Sequence, residues 1–268
     1  MKQLSENFKT NSAPLQGSQI CDRNIDCVTT KGGSKWCTGP KTQKCYSYDI
    51  ADGTWVHVID LIKARVYAGS VTMPGGSLWI MGGVGIKNVL RSSEILQFIN
   101  NKWTVKKGPK LPELMMGHCL TALDPWNIIV AGGFSPVTSD FIDKAYILNT
   151  RNKQWTTKPW TKLKYGPVMD STCTSLHWSG KYQVIISGGW NNSVLHSTEL
   201  FDSKSWKWKK VTGPLNYWKS NMALPYGIRS AVMGELDKKP FLAGGIKCVG
   251  YVKVFLLKIY LKSLEGLI

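Results

Sequence analysis

Four histidines and seven cysteines are the side chains of this 268-residue chain best suited to metal binding or nucleophilic catalysis. The histidines, His57, His118, His177 and His196, are scattered and form no H-x-x-x-H pair. His118 adjoins Cys119, but neighbours on a strand point to opposite faces, and no third orienting group is evident. The chain has no G-x-S-x-G elbow and no G-x-x-x-x-G-K-[ST] phosphate loop. Gly82-Gly83-Val84-Gly85 is glycine-rich, yet no helix follows it that could cradle a phosphate. These residues predict no catalytic site, no cofactor and no metal.

The cysteines raise a different chemistry. Cys21, Cys27, Cys37 and Cys45 fall close together, which suits two local disulfides, with unpaired thiols as the alternative. A zinc site ranks below both, because no C-x-x-C pair is present. Disulfides favour an extracellular protein, with a cytoplasmic one as the alternative. The N-terminal MKQLSENFKTNSAPLQG has no apolar stretch of the kind that marks a secretory signal. Asn191-Asn192-Ser193 is a glycosylation acceptor triplet, a pattern that also arises by chance.

Binding is better represented than catalysis. The formal net charge is +17, which steers anionic partners toward the chain. The candidate binding residues are Lys87, Arg91, Lys106, Lys107, Lys110, Lys144, Lys158, Lys162, Lys164 and Lys219, together with the aromatic residues Trp160, Trp190 and Trp218. An acidic peptide or protein segment is the first expected partner, and a sulfated or sialylated glycan the second. Nucleic acid ranks below them, because Lys heavily outnumbers Arg and bidentate recognition of bases and phosphates favours Arg. No apolar run reaches the roughly 18 residues of a membrane span.

The elements that must position these residues come from an internal repeat. Hydrophobic residues make up 43% of the chain, enough for a large core. Glycine pairs recur at Gly32-Gly33, Gly82-Gly83, Gly132-Gly133, Gly188-Gly189 and Gly244-Gly245, at intervals of 50, 50, 56 and 56 residues. The last four follow short apolar runs, LWIM, IIVA, VIIS and FLA, which read as buried strands ending in a tight turn. Trp55, Trp103, Trp155 and Trp208 each stand seven residues after an apolar or aromatic residue: Tyr48, Leu96, Leu148 and Phe201. Tyr46, Glu94, Tyr146 and Glu199 precede those by two, on the same side of a strand. Turn-rich stretches such as FINNK and NTRNK lie between. One period reads as four short antiparallel strands, a to d, with the glycine pair closing b and the Trp in d, assigned to core packing.

The glycine pair, the spaced Trp and the period near 50 together resemble the Kelch repeat. The resemblance implies an all-β chain folded as a Kelch-type β-propeller of about five four-stranded blades, incomplete or a fragment if the usual six or seven are needed. It divides the chain into an N-terminal segment, 1–20, and repeats at about 21–57, 58–107, 108–160, 161–212 and 213–262. An alternative makes 21–45 a separate cysteine-stapled lobe. Arg65 and Arg229 match the family's Arg before strand a, and Cys119 and Cys173 are similar to cysteines of invertebrate members. The family includes adaptors and recognition modules, and also copper oxidases and sugar epimerases.

Strand order a-b-c-d puts the b–c and d–a connections at one end of each sheet, where nearly all the basic candidates fall. The expected function is a non-catalytic interaction module with a basic loop face. A propeller enzyme is the third possibility, behind the glycan binder.

Overall fold

The protein, seen in a computed structural model, is described over residues 26–29, 35–38, 43–49, 52–156, 162–178 and 181–211, with shorter pieces at 224, 227, 229–230, 232–236 and 239–243. Regular structure in these residues is entirely β. The strands are β1 (Asp26–Thr29), β2 (Lys35–Thr38), β3 (Lys44–Asp49), β4 (Thr54–Asp60), β5 (Gly69–Thr72), β6 (Leu78–Met81), β7 (Ser93–Ile99), β8 (Lys102–Lys107), β9 (Cys119–Asp124) and β10 (Asn127–Ala131). They continue as β11 (Phe134–Ser135), β12 (Asp140–Phe141), β13 (Ala145–Asn149), β14 (Gln154–Thr156), β15 (Thr172–Trp178), β16 (Lys181–Ser187), β17 (Thr198–Asp202), β18 (Lys207–Lys210), β19 (Val232–Leu236) and β20 (Lys239–Ala243).

Three antiparallel sheets have four strands each: β5-β6-β7-β8, β9-β10-β13-β14 and β15-β16-β17-β18. We call them the first, second and third sheets. The pairs β1-β2, β3-β4, β11-β12 and β19-β20 are two-stranded. The turn between β7 and β8 uses Asn100 and Asn101, both at positive φ, as a tight hairpin of matching twist requires.

The three sheets stack face to face, with β5 against β9 and β9 against β15, and the β19-β20 pair lies against β15. The run Ile128-Ile129-Val130-Ala131 in β10 shows how one strand serves two interfaces. Ile128 and Val130 pack with Trp79, Met81 and Ile95 of the first sheet. Ile129 and Ala131 pack with Val184, Ile186, Phe201 and Trp208 of the third. A strand buried on both faces reads as a continuous apolar run, and the period of two then divides it between neighbours.

The all-β class is as expected, but the Kelch-type β-propeller is corrected. The sheets are open, of two to four strands, and neither a sheet nor a ring of sheets closes among the described residues. The spans 58–107, 108–160 and 161–212 contain the four-stranded sheets. The spans 21–57 and 213–262 contain only two-stranded pieces among the described residues. Glycine and tryptophan spacing is a property of one unit, whereas closure is a property of the whole array, so the spacing carries no information about closure.

The glycine pairs act locally. Gly83, at φ 82°, lies so close to the preceding segment that a Cβ there would meet Val66 O at 2.4 Å. Gly133, at φ 106°, is wedged in the same way: a Cβ there would lie 3.0 Å from Met116 O. Gly82, Gly132, Gly188 and Gly189 share the positive φ, while Gly244 and Gly245 lie outside the described residues.

The four spaced tryptophans do not share one environment. Trp208 is 1% exposed, in the core between the second and third sheets. Trp103 and Trp155 are half-buried on outer strands, and Trp155 Nε1 donates to Lys110 O at 2.8 Å. Trp55 is 69% exposed, which corrects its assignment to the core: its hairpin, β3-β4, has two strands and covers little. The cysteines also depart from expectation. Cys119 and Cys173 form a disulfide joining β9 to β15, while Cys45 is a free thiol, so the four N-terminal cysteines do not make two pairs among themselves. Register sets Cys27 opposite Cys37, and Cys21 lies outside the described residues.

Two stability measurements follow. Trp208→Ala should cost about 3–5 kcal/mol in denaturant unfolding, and Trp55→Ala about 0.5 kcal/mol or less. Removing the disulfide as Cys119→Ser with Cys173→Ser should cost about 4 kcal/mol, the chain-entropy value for a loop closed across 54 residues.

Candidate functional site

The candidate face begins from four residues that precede a first strand: Tyr67, Gly117, Asp170 and Ser230. All four have positive φ, between 53° and 61°. Gly117 N donates to Tyr67 O at 3.0 Å, Asp170 N to Gly117 O at 2.7 Å, and Ser230 N to Asp170 O at 2.8 Å. A left-handed residue turns its peptide groups sideways, toward the neighbouring sheet instead of along the strand. The result is a hydrogen-bonded inner edge from which the sheets splay.

The b–c loops fold back over this edge. Val84 pairs with Val66, Phe134 with Met116, and Trp190 with Met169, each by an isolated antiparallel bridge. Val84, Val89, Met116, Phe134 and Met169 form one apolar cluster, against which Trp190 packs. The three b–c loops therefore share a base. The d–a loops are held to them by a second repeated contact. Leu61 N donates to Gln43 O, Leu111 N to Arg91 O, Leu163 N to Asp143 O, and Leu224 N to His196 O, over 2.6–3.2 Å.

Buried carboxylates hold the same connections from below. Glu94, on β7, accepts from Ile62 N at 2.5 Å and Lys63 N at 3.1 Å, and from the Arg65 guanidinium, with which it forms a buried ion pair. Glu199, on β17, accepts from Lys164 N at 2.6 Å and Tyr165 N at 2.8 Å. Burial raises the Glu199 carboxyl above its ordinary range, against those two donors and nearby lysines. In the second sheet the roles reverse: Tyr146 donates its hydroxyl to Glu113 of the loop. Burial first, then Glu113, raises the Tyr146 phenol above its usual range.

The expected binding residues distribute unevenly on this frame. Lys87, Lys106, Lys107, Lys110 and Lys144 are exposed at the b–c and d–a ends of the first and second sheets, without an acidic partner among the described residues. Arg91 is engaged: its Nε donates to Leu111 O at 2.8 Å. Lys162 pairs with Asp143 at 3.0 Å, and Lys164 is exposed. Trp190 is half-buried, with the Arg229 guanidinium 5.2 Å from its ring centroid. Lys158, Trp160, Trp218 and Lys219 lie outside the described residues.

Arg65 and Arg229 turn out not to be equivalent. Arg65 stands two residues before its left-handed residue and points inward to Gly82 O and Ser92 O. Arg229 stands one before and pairs with Asp170 at 3.5 Å. Burial raises the Asp170 carboxyl above its usual range, and Arg229 partly offsets this. The left-handed residues and the recurring leucine escaped sequence reading. A signal for them exists: Leu61, Leu111 and Leu224 each stand six residues before the left-handed position, and Leu163 stands seven.

His118 belongs to the interior. Its ring is fully buried between Gly69 and Gly82, whose Cβ positions would lie 2.9 and 2.7 Å from it, and neither ring nitrogen has a hydrogen-bond partner. Desolvation pulls its pKa down to about 4. Among the described residues no group of three or more His, Cys, Asp or Glu side chains could hold a metal ion.

No protein-family model matches the chain. The Caenorhabditis elegans protein tag-53 is 23% identical over 222 residues, a match covering 75% of this chain and 16% of that protein. The chain thus spans about a sixth of the length of this curated relative. A solved structure described as "Structure of YjhT" aligns with a TM-score of 0.50 and 16% identity, over 63% of this chain and 52% of that one. That likeness concerns the fold alone.

The His118 geometry gives a pH dependence with a definite sign. The ring protonates near 6.5 when unfolded and near 4 when folded, so unfolding takes up a proton between those values. Its neutral form contributes stability above pH 6.5 that is lost as pH falls toward 4, about 3 kcal/mol in all. Urea unfolding of wild type and His118→Leu across this range should show a shallower acid limb in the variant.

Proposed function

We propose that this chain is a non-catalytic interaction module that presents its b–c and d–a loop face to an acidic peptide or protein segment. One observation carries the reading. Lys87, Lys110 and Lys144 stand exposed on loops held to a common base, and Lys106 and Lys107 at the adjoining end of β8, none of them in an ion pair with an acidic side chain among the described residues. A fixed array of like charges on a rigid base attracts an opposite chain over a distance near the Debye length and itself needs little ordering on binding.

The module acts in an oxidising setting, outside the cell. The support is the Cys119–Cys173 disulfide, since such bonds persist where thiols are not kept reduced. A sulfated glycan would feel the same field, and the test separates the two.

Binding of fluorescein-labelled octaglutamate is measured by anisotropy at low salt, with heparin as competitor. Reversal of Lys106→Glu with Lys107→Glu should weaken binding roughly tenfold, with a smaller effect near physiological salt. Reversal at the opposite ends of the strands, Lys102→Glu with Lys153→Glu, changes net charge equally and should leave most of the affinity. Equal losses from both pairs would mean that charge acts without a site. Heparin affinity far above that of the peptide, lost with the same pair, would make the partner a glycan.

A further inference from the structure

The loop face carries more than charge. Tyr67 is 48% exposed on the inner edge and adopts φ 53°, a conformation that a bulky side chain occupies at a cost. The equivalent positions hold Gly117 and Asp170, types that reach this region more readily, and the smaller Ser230. Beside it, the first b–c loop turns tightly, with Gly85 N donating to Asn88 O at 2.8 Å, and sets Ile86 and Lys87 at the corner. Ile86 is 66% exposed. In the second sheet the b–c loop is the β11-β12 hairpin, and Val137 at its tip is 53% exposed.

These three apolar side chains stand on loops anchored in one cluster, through Val66, Val84 and Phe134. An exposed Leu or Val alone means little. A strained, exposed tyrosine with exposed aliphatic loop tips beside uncompensated lysines is a different pattern. Interfaces are dominated by aromatic and apolar anchors ringed by polar groups, and charge there guides approach.

We infer that the acidic partner segment also carries an aromatic or aliphatic side chain, which seats on Tyr67, Ile86 and Val137 while its carboxylates face Lys87 and Lys144. The inference rests on the reading of the basic face as a protein-binding surface and narrows its partner to an acidic segment with an apolar anchor. It also explains why a tyrosine occupies a position where glycine costs less.

Two peptides decide the matter: octaglutamate, and the same peptide with two internal phenylalanines. Wild type should bind the phenylalanine peptide about tenfold more tightly. Ile86→Ser with Val137→Ser should abolish that gain while leaving octaglutamate affinity unchanged. Tyr67→Gly relaxes the backbone, so its melting temperature should hold or rise while the gain falls. This combination cannot come from damage to the fold. Equal affinity for both peptides, or a gain that survives all three substitutions, overturns the inference and leaves the basic face standing. Failure of both peptides to bind overturns the basic face itself.

Discussion

The rest of the structure depends on a backbone hydrogen-bond series through Tyr67, Gly117, Asp170 and Ser230. Each of these residues leaves the ordinary β region, and Gly117 and Asp170 reach sideways with both amide and carbonyl, Tyr67 with its carbonyl and Ser230 with its amide. Buried peptide groups must be paired, and inner-edge strands such as β5 have no further strand to pair with. The left-handed residue answers that requirement and at the same time sets the separation between sheets. At such a separation only glycine fits at Gly83 and Gly133, which are packed against the same segments. The glycine pairs are therefore a consequence of the close inner edge.

A second constraint connects the interior to the charge outside. The chain has 17 acidic residues against 34 basic ones, and several acids are consumed by architecture. Glu94 and Glu199 satisfy backbone amides that would otherwise be buried without acceptors. Asp170 is held over the inner edge by Arg229, and Glu113 accepts from Tyr146. Carboxylates used inside cannot neutralise lysines outside. The excess of exposed lysines over exposed acids thus arises from where the acids are spent as much as from where the lysines are placed. The same logic covers Cys119 and Cys173, which spend their thiols joining two sheets.

Much of the local unit was legible. Apolar runs marked the second strands, and the spaced Trp marked the fourth, because strand periodicity and turn chemistry act over a few residues. Burial of those tryptophans was not legible. Trp208 has the second sheet packed against its own, whereas Trp55 has only a hairpin, and the same spacing describes both. Arg65 and Arg229 look alike in sequence and serve different partners, since a shift of one residue along an edge redirects the side chain. The Cys119–Cys173 disulfide was not legible, because proximity in sequence says little about residues 54 apart that stacking brings together.

By itself the amino-acid order determined that the described residues are all-β and that the chain carries a large excess of basic charge, since these follow from alternation, glycine and proline placement, and charge count. Only the tertiary structure decided that the sheets stay open, which lysines remain uncompensated, and that a tyrosine is held exposed against its backbone preference. Those outcomes depend on groups distant in sequence competing for the same partners, and no short window of residues contains that competition.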